Sequence, residues 1–225
     1  MKSPPPGWPQ RKERPNHSLE RRPPTRNRRG GLLVACGPQA TPYLMALVQH
    51  LQLHGSVQIV SCSTEESSAI LAHGLRVCAT NGPFQRFYSL SCPATAAETA
   101  AFPLPPTTGG DIKYSFFFQQ IIVIPSFDLW WLLHIQDLPP QGWQHEEGVS
   151  EWIQTQWAHH LSAVPSQDPH ALFASMAHAV PDAIARGQRL AQRRAQESST
   201  LPMTNLHEMV SYLLKFSNAL KQIQS

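Results

Sequence analysis

Residues 31–71 read GLLVACGPQATPYLMALVQHLQLHGSVQIVSCSTEESSAIL, and the pattern in this stretch decides the fold class. GLLVACG (31–37) is a short apolar run bounded by glycines, which reads as a buried strand. Thr41-Pro42 follows, a capping residue with proline at the first helical position. Tyr43, Leu44, Leu47, Val48 and Leu51 then recur at helical spacing, and Gly55 is placed to stop the helix. SVQIVSCS (56–63) reads as a second strand. Thr64, Glu65 and Glu66 open a second helix whose first-turn acids suit the helix dipole, and Gly74 ends it. RVCAT (76–80) then reads as a third strand. Strands alternating with helices over so short a span imply parallel crossovers, hence a Rossmann-like, mostly parallel α/β sheet.

Outward from this core the signal weakens. Residues 81–107 are rich in Pro, Ala and Thr and hold one irregular strand around Phe87–Leu90. Tyr114 to Ile124 reads either as a helix running into a strand or as two strand pieces, because so short an apolar run has no decisive period. Pro125 breaks it, and LWWLLHI (129–135) reads as another buried element. The α/β domain is therefore placed at 31–142 and a helical C-terminal region at 143–225. In that region Val149, Trp152, Ile153, Trp157, Leu161 and Val164 follow a three-four spacing. Asp168-Pro169 starts another helix with Leu172, Phe173, Met176 and Val180 on one face, and Pro181 is expected to break or kink it. Asn205 and Glu208 read as a capping pair for a last amphipathic helix.

The chain has 225 residues, of which only 15% are charged and 21 are proline. Its charge is unevenly spread. Residues 1–30 hold nine Lys and Arg (Lys2, Arg11, Lys12, Arg14, Arg21, Arg22, Arg26, Arg28, Arg29) against Glu13 and Glu20. Such a Pro- and Arg-rich segment buries little and is expected to be disordered. Its charge favours a polyanion, so Arg21, Arg22, Arg26, Arg28 and Arg29 are candidate nucleic-acid contacts. No apolar stretch is long enough to span a bilayer, and the first residues lack the apolar core of a secretory signal. The chain reads as a soluble cytoplasmic protein.

Catalytic and cofactor motifs are missing. GxxxxGK[ST], an ordered GxGxxG after the first strand, HExxH and GxSxG do not occur, so no cofactor is expected. Cys36, Cys62, Cys78 and Cys92 form no CxxC pair, which argues against structural zinc. Cys36 and Cys62 end apolar runs and read as small buried hydrophobes; a catalytic thiol would need a positioned base that the spacing does not supply. His159-His160 lacks the i, i+4 spacing of a metal pair and reads as packing or interface.

Three loops remain as candidate ligand contacts. Gly37, Pro38 and Gln39 lie between the first strand and its helix, and Thr64 and Glu65 between the second strand and its helix. Both loops fall at the C-terminal edge of a parallel sheet, where helix N-termini present unpaired amides. The third is Thr108, Gly109 and Gly110 with Lys113, where Gly-Gly permits close backbone approach to an anion and lysine adds a point charge.

The strand ending in small residues with G-x-x-x-x-P opening a helix (LLVACGPQATPYLMAL), followed by a strand with T-E-E-S opening another (VQIVSCSTEESSAIL), resembles the CRISPR-associated Rossmann-fold sensor domains over residues 31–124. Thr108-Gly109-Gly110-Asp111-Ile112-Lys113 is similar to that family's later T-G-G-T-K-like loop. The resemblance implies a role in antiviral defence and a homodimer that binds a cyclic oligoadenylate across its two-fold axis. It places the phosphates and bases on Gly37–Gln39, Thr64 and Gly109-Gly110, with Lys113 as charge partner. Such sensors commonly carry a helical ribonuclease with R-x4-6-H. The only such spacing here, Arg11 to His17, falls in the basic N-terminal segment. Two functions follow as expectations. One is a non-catalytic nucleotide sensor. The other is an adaptor or scaffold subunit of a larger assembly that contacts nucleic acid through its basic tail, its α/β core being ligand-free.

Overall fold

The computed structural model describes residues 31–94, 116–139, 146–162, 168–197 and 202–224. The basic segment 1–30, with its five candidate arginines, and the loop carrying Thr108, Gly109, Gly110 and Lys113 lie outside the described residues.

The chain opens with β1 (Gly31–Cys36), α1 (Thr41–His50), β2 (Val57–Ser61), α2 (Ser67–Asn81), β3 (Phe84–Ser91) and β4 (Phe117–Ile124). There follow α3 (Asp128–Leu133), α4 (Glu146–Ser162), α5 (Pro169–Met176), α6 (Val180–Glu197), the two-residue β5 (Met203–Thr204) and α7 (Leu206–Gln224). The strands form one sheet in the order β2-β1-β3-β4-β5. β1 to β4 are parallel, and only β5 runs against its neighbour β4. The fold is thus Rossmann-like α/β with a helical C-terminal region. The order reverses direction after β2, so α1 and α2 cover opposite faces, as right-handed crossovers require.

Alternation along β1 sorts the two cores. Leu32, Val34 and Cys36 face α1, where Tyr43, Leu44 and Leu47 join a large cluster that continues through Trp130, Ile153, Phe173 and Val210. Leu33 and Ala35 face α2, where they meet Ile70, Cys78 and Phe87 in a much smaller cluster. All the helices after α2 contribute to the large cluster or pack on its members, so the sheet is thickly covered on one face.

Several local expectations are corrected. RVCAT (76–80) is not a strand: α2 runs unbroken from Ser67 to Asn81, and the third strand is Phe84–Ser91. Gly74 does not end α2. It lies inside it, where the missing side chain lets the helix approach the sheet: a Cβ there would strike the Phe87 ring and come within 2.9 Å of Ala35 Cβ. Glu65 and Glu66 precede α2 instead of filling its first turn, which holds no acid. The N-cap of α1 is Ala40, with Thr41 already helical, and α1 stops at His50, well before Gly55. The break expected at Pro181 is present: α5 ends at Met176, a 3-10 turn spans Ala177–Ala179, and α6 starts afresh at Val180 with Pro181 in its first turn, where no intrahelical N–H is needed. Of the open readings for 114–124, the described part is a single strand, β4. LWWLLHI is mostly the buried helix α3.

Candidate functional site

The C-terminal ends of β1 and β2 lie side by side, with Cys36 paired to Ser61 and the Cys62 amide donating to the Cys36 carbonyl at 2.8 Å. The two loop tips that the sequence singles out are therefore neighbours. Between them stands the side chain of Glu65. Its Oε1 accepts from the Gln39 amide at 2.8 Å, and a Cβ built on Gly37 would fall inside its carboxylate. Gly37 has no side chain because that space is filled from the other loop.

Thr41 Oγ1 donates to the Gly37 carbonyl at 2.8 Å and lies 2.8 Å from Ser61 Oγ and 3.3 Å from Cys36 Sγ, tying the first turn of α1 to both strands. Thr64 accepts from the Glu66 amide at 3.0 Å, a local turn that sets the chain before α2. Pro38 is exposed and makes no described polar contact at the tip. Gln39 also reaches forward: its Oε1 accepts from the Phe127 amide at 3.2 Å. Thus Gly37, Gln39, Thr64 and Glu65 come together, and their partners turn out to belong to the protein.

Two further segments complete the edge, and the sequence reading did not single them out. At the end of β3, Ser91 accepts from Ser67 at 2.7 Å, both buried, and Cys92 is buried beside them. After β4, Ser126, Phe127 and Asp128 form the turn into α3. The signal for the second was present as Ser-x-Asp following Pro125, a strand end leading into a helix start.

Electrostatics at this edge are acidic. Burial pushes Glu65 above the ordinary carboxylate range, while the Gln39 and Cys92 amides pull it partly back. Burial also raises Asp128. No Lys or Arg occurs in 37–41, 61–67, 91–94 or 125–128. The thiols are not poised for attack: burial pushes Cys36 up to about 11 and raises Cys62 and Cys92, with Glu65 adding to each and the Arg76 charge pulling Cys62 partly back. The protonated thiol is a weak nucleophile, so this edge offers no activated cysteine. Of the two thiols expected to be small buried hydrophobes, Cys36 is buried and Cys62 only half-buried; Cys92 is buried as well.

Among the described residues no group of three or more His, Cys, Asp or Glu is arranged to hold a metal. A cleft of about 490 Å³ lies elsewhere, where α1, β2 and the start of α5 meet, lined by Met45, Val48, Val57, Ile59 and His170 with Gln49 and His54. No described helix is long and apolar enough to cross a membrane. Comparison with family models, with curated proteins and with solved structures finds no match to this chain.

Proposed function

We propose that this protein is a non-catalytic adaptor that contacts nucleic acid through its basic N-terminal segment and whose Rossmann-like core carries no nucleotide. One observation supports this reading above the others: the Glu65 carboxylate occupies the turn at Gly37–Gln39, where a phosphate would sit in a nucleotide-binding relative of this architecture. An internal carboxylate uses the amide that an anionic ligand needs and repels the ligand as well. With Asp128 close by and no Lys or Arg in the described loops at this edge, the described edge is set against a polyphosphate. The positive charge lies instead in residues 1–30, where Arg21, Arg22, Arg26, Arg28 and Arg29 cluster. Lys and Arg at that density neutralise phosphates and release counterions, so affinity depends steeply on salt.

A second reading keeps the nucleotide sensor, with a cyclic oligoadenylate as its ligand. It draws on the adjacency of the β1 and β2 tips, and it requires the ligand to displace Glu65. Thermal melting with a panel of nucleotides and cyclic oligoadenylates separates the two. A ligand at 100 times its dissociation constant adds about 2.7 kcal/mol of stability. The adaptor reading predicts no shift with any of them, for the parent chain and for Glu65→Gln alike. A shift that grows in Glu65→Gln would support the sensor and overturn the adaptor.

A further inference from the structure

We propose that Arg86 and the aromatic side chains around it form a stacking site for single-stranded nucleic acid at the N-terminal edge of the sheet. The proposal rests on the nucleic-acid reading above and gives it a place on the folded body.

Arg86 is near the start of β3, paired with Leu32 on one side and with Phe117 on the other. Its guanidinium carbon lies 4.3 Å from the centre of the Phe117 ring and 4.0 Å from that of Tyr212 on α7. Tyr212 in turn stacks on Phe216, with ring planes 11° apart. Tyr88 adds a further ring beside Phe117 and Tyr212. Three elements thus contribute to one aromatic ladder around a cation. Its outer member is open: Phe117 is 48% exposed, whereas most other large apolar side chains among the described residues are buried.

The polar side of Arg86 is nearly unused. Among the described residues it makes one hydrogen bond, to the Tyr88 hydroxyl at 3.5 Å, and no carboxylate comes within ion-pair distance. A guanidinium held against aromatic faces keeps its edge N–H groups in one plane, the geometry that pairs with phosphate. An exposed ring beside it offers a face to a base. Ring and guanidinium together are the chemistry of single-strand binding, in which bases stack and phosphates meet Arg. A duplex keeps its base faces covered and cannot use Phe117 in this way.

Charge leads to the same edge. The basic segment joins the fold at Gly31, whose partner Phe84 is two residues from Arg86. Lys215, exposed on α7, lies between Tyr212 and Phe216 in sequence. The acid that bears on the site is Glu208, whose field reaches Tyr88 and whose carboxylate is held by the Gln119 amide.

The test is fluorescence anisotropy with labelled oligo(dT) and oligo(rU) and with a matched duplex. The proteins are the full chain and its Phe117→Ala, Phe117→Leu and Arg86→Lys variants, together with a chain in which Arg21, Arg22, Arg26, Arg28 and Arg29 are all Gln. Loss of the ring, in Ala or in the well-packing Leu, is expected to weaken single-strand binding about tenfold and leave duplex binding unchanged. Arg86→Lys keeps the charge but loses the planar stack, and is expected to weaken single-strand binding as well. Should the Phe117 and Arg86 variants bind as the parent does while the five-Gln chain loses binding, the stacking site is wrong and the tail alone makes the contact. Should the parent bind no strand even at low salt, the nucleic-acid reading itself fails and the site with it.

Discussion

Glu65 reaches back 26 positions along the chain to the amide of Gln39. The two loops were legible in the sequence, because glycine after a buried strand and Thr-Glu-Glu before a helix mark the tips of a parallel sheet. What filled them was not. Acids beside a helix start read equally well as dipole partners of that helix, and only the folded register turns Glu65 toward Gly37. Tyr43 and His134 show the same limit in the core. His134 Nδ1 faces the Trp130 carbonyl at 3.0 Å, so that nitrogen carries the proton and Nε2 accepts from the Tyr43 hydroxyl at 3.3 Å. Burial, aided by the charges of Arg186 and His178, pushes His134 down to about 4. The folded protein therefore refuses a proton that the unfolded chain takes below about 6.5. The contribution of His134 is fully present above that pH and is lost as pH falls toward 4, an effect of about 3 kcal/mol. Melting curves from pH 7 to pH 4 are expected to show it, and His134→Gln to flatten the decline. Gly74 makes a prediction of opposite sign to helix propensity. Alanine inside a helix ordinarily gains about 1 kcal/mol over glycine. Here its methyl would strike Phe87 and Ala35, so Gly74→Ala is expected to destabilise by about 1–3 kcal/mol, read by denaturant unfolding.

Elements were legible where a single period governed them. β1, α1 and β2 appear where the hydrophobic pattern puts them, since strands flanked by glycine and a Pro-started helix have few alternatives. α2 was misread because Gly74 looks like a stop and Val77 and Cys78 look like a strand; tertiary packing overrode both signals. The final helix was correctly placed, but its start works differently from the expected capping pair. Asn205 Oδ1 accepts from the Ile122 amide at 2.8 Å and Nδ2 donates to the Gln120 carbonyl at 2.9 Å. One side chain thus continues the ladder of β4 beyond the two residues of β5, and the α7 cap falls to Thr204, whose Oγ1 accepts from Leu206 N at 3.1 Å. Asn205→Ala is expected to cost about 1–3 kcal/mol, because it leaves the Ile122 amide without its acceptor. Hydrogen exchange at Ile122 checks this directly: loss of protection there, with β1 unchanged, is the expected outcome.

At the scale of the molecule the sheet has two unlike edges. The C-terminal edge gathers Glu65, Glu66 and Asp128 around loop tips whose free amide is already taken. The N-terminal edge receives the basic segment at Gly31 and carries Arg86 against the exposed Phe117 ring and Tyr212. This polarity was half visible in advance, as the charge block of residues 1–30 is plain in the sequence. The Arg86 cluster was not, since it joins residues from β3, β4 and α7 that no spacing rule connects. The asymmetry of the sheet faces reinforces the polarity, because the helices after α2 bury one face and leave α2 as the described helix on the other. The most direct measurement is the affinity of the full chain for a labelled single-stranded oligonucleotide across a salt series. The account predicts binding at low salt whose logarithm falls linearly with the logarithm of salt concentration, with a slope that shrinks when Arg21, Arg22, Arg26, Arg28 and Arg29 are neutralised. Absence of binding at low salt, or an affinity indifferent to salt, would contradict it.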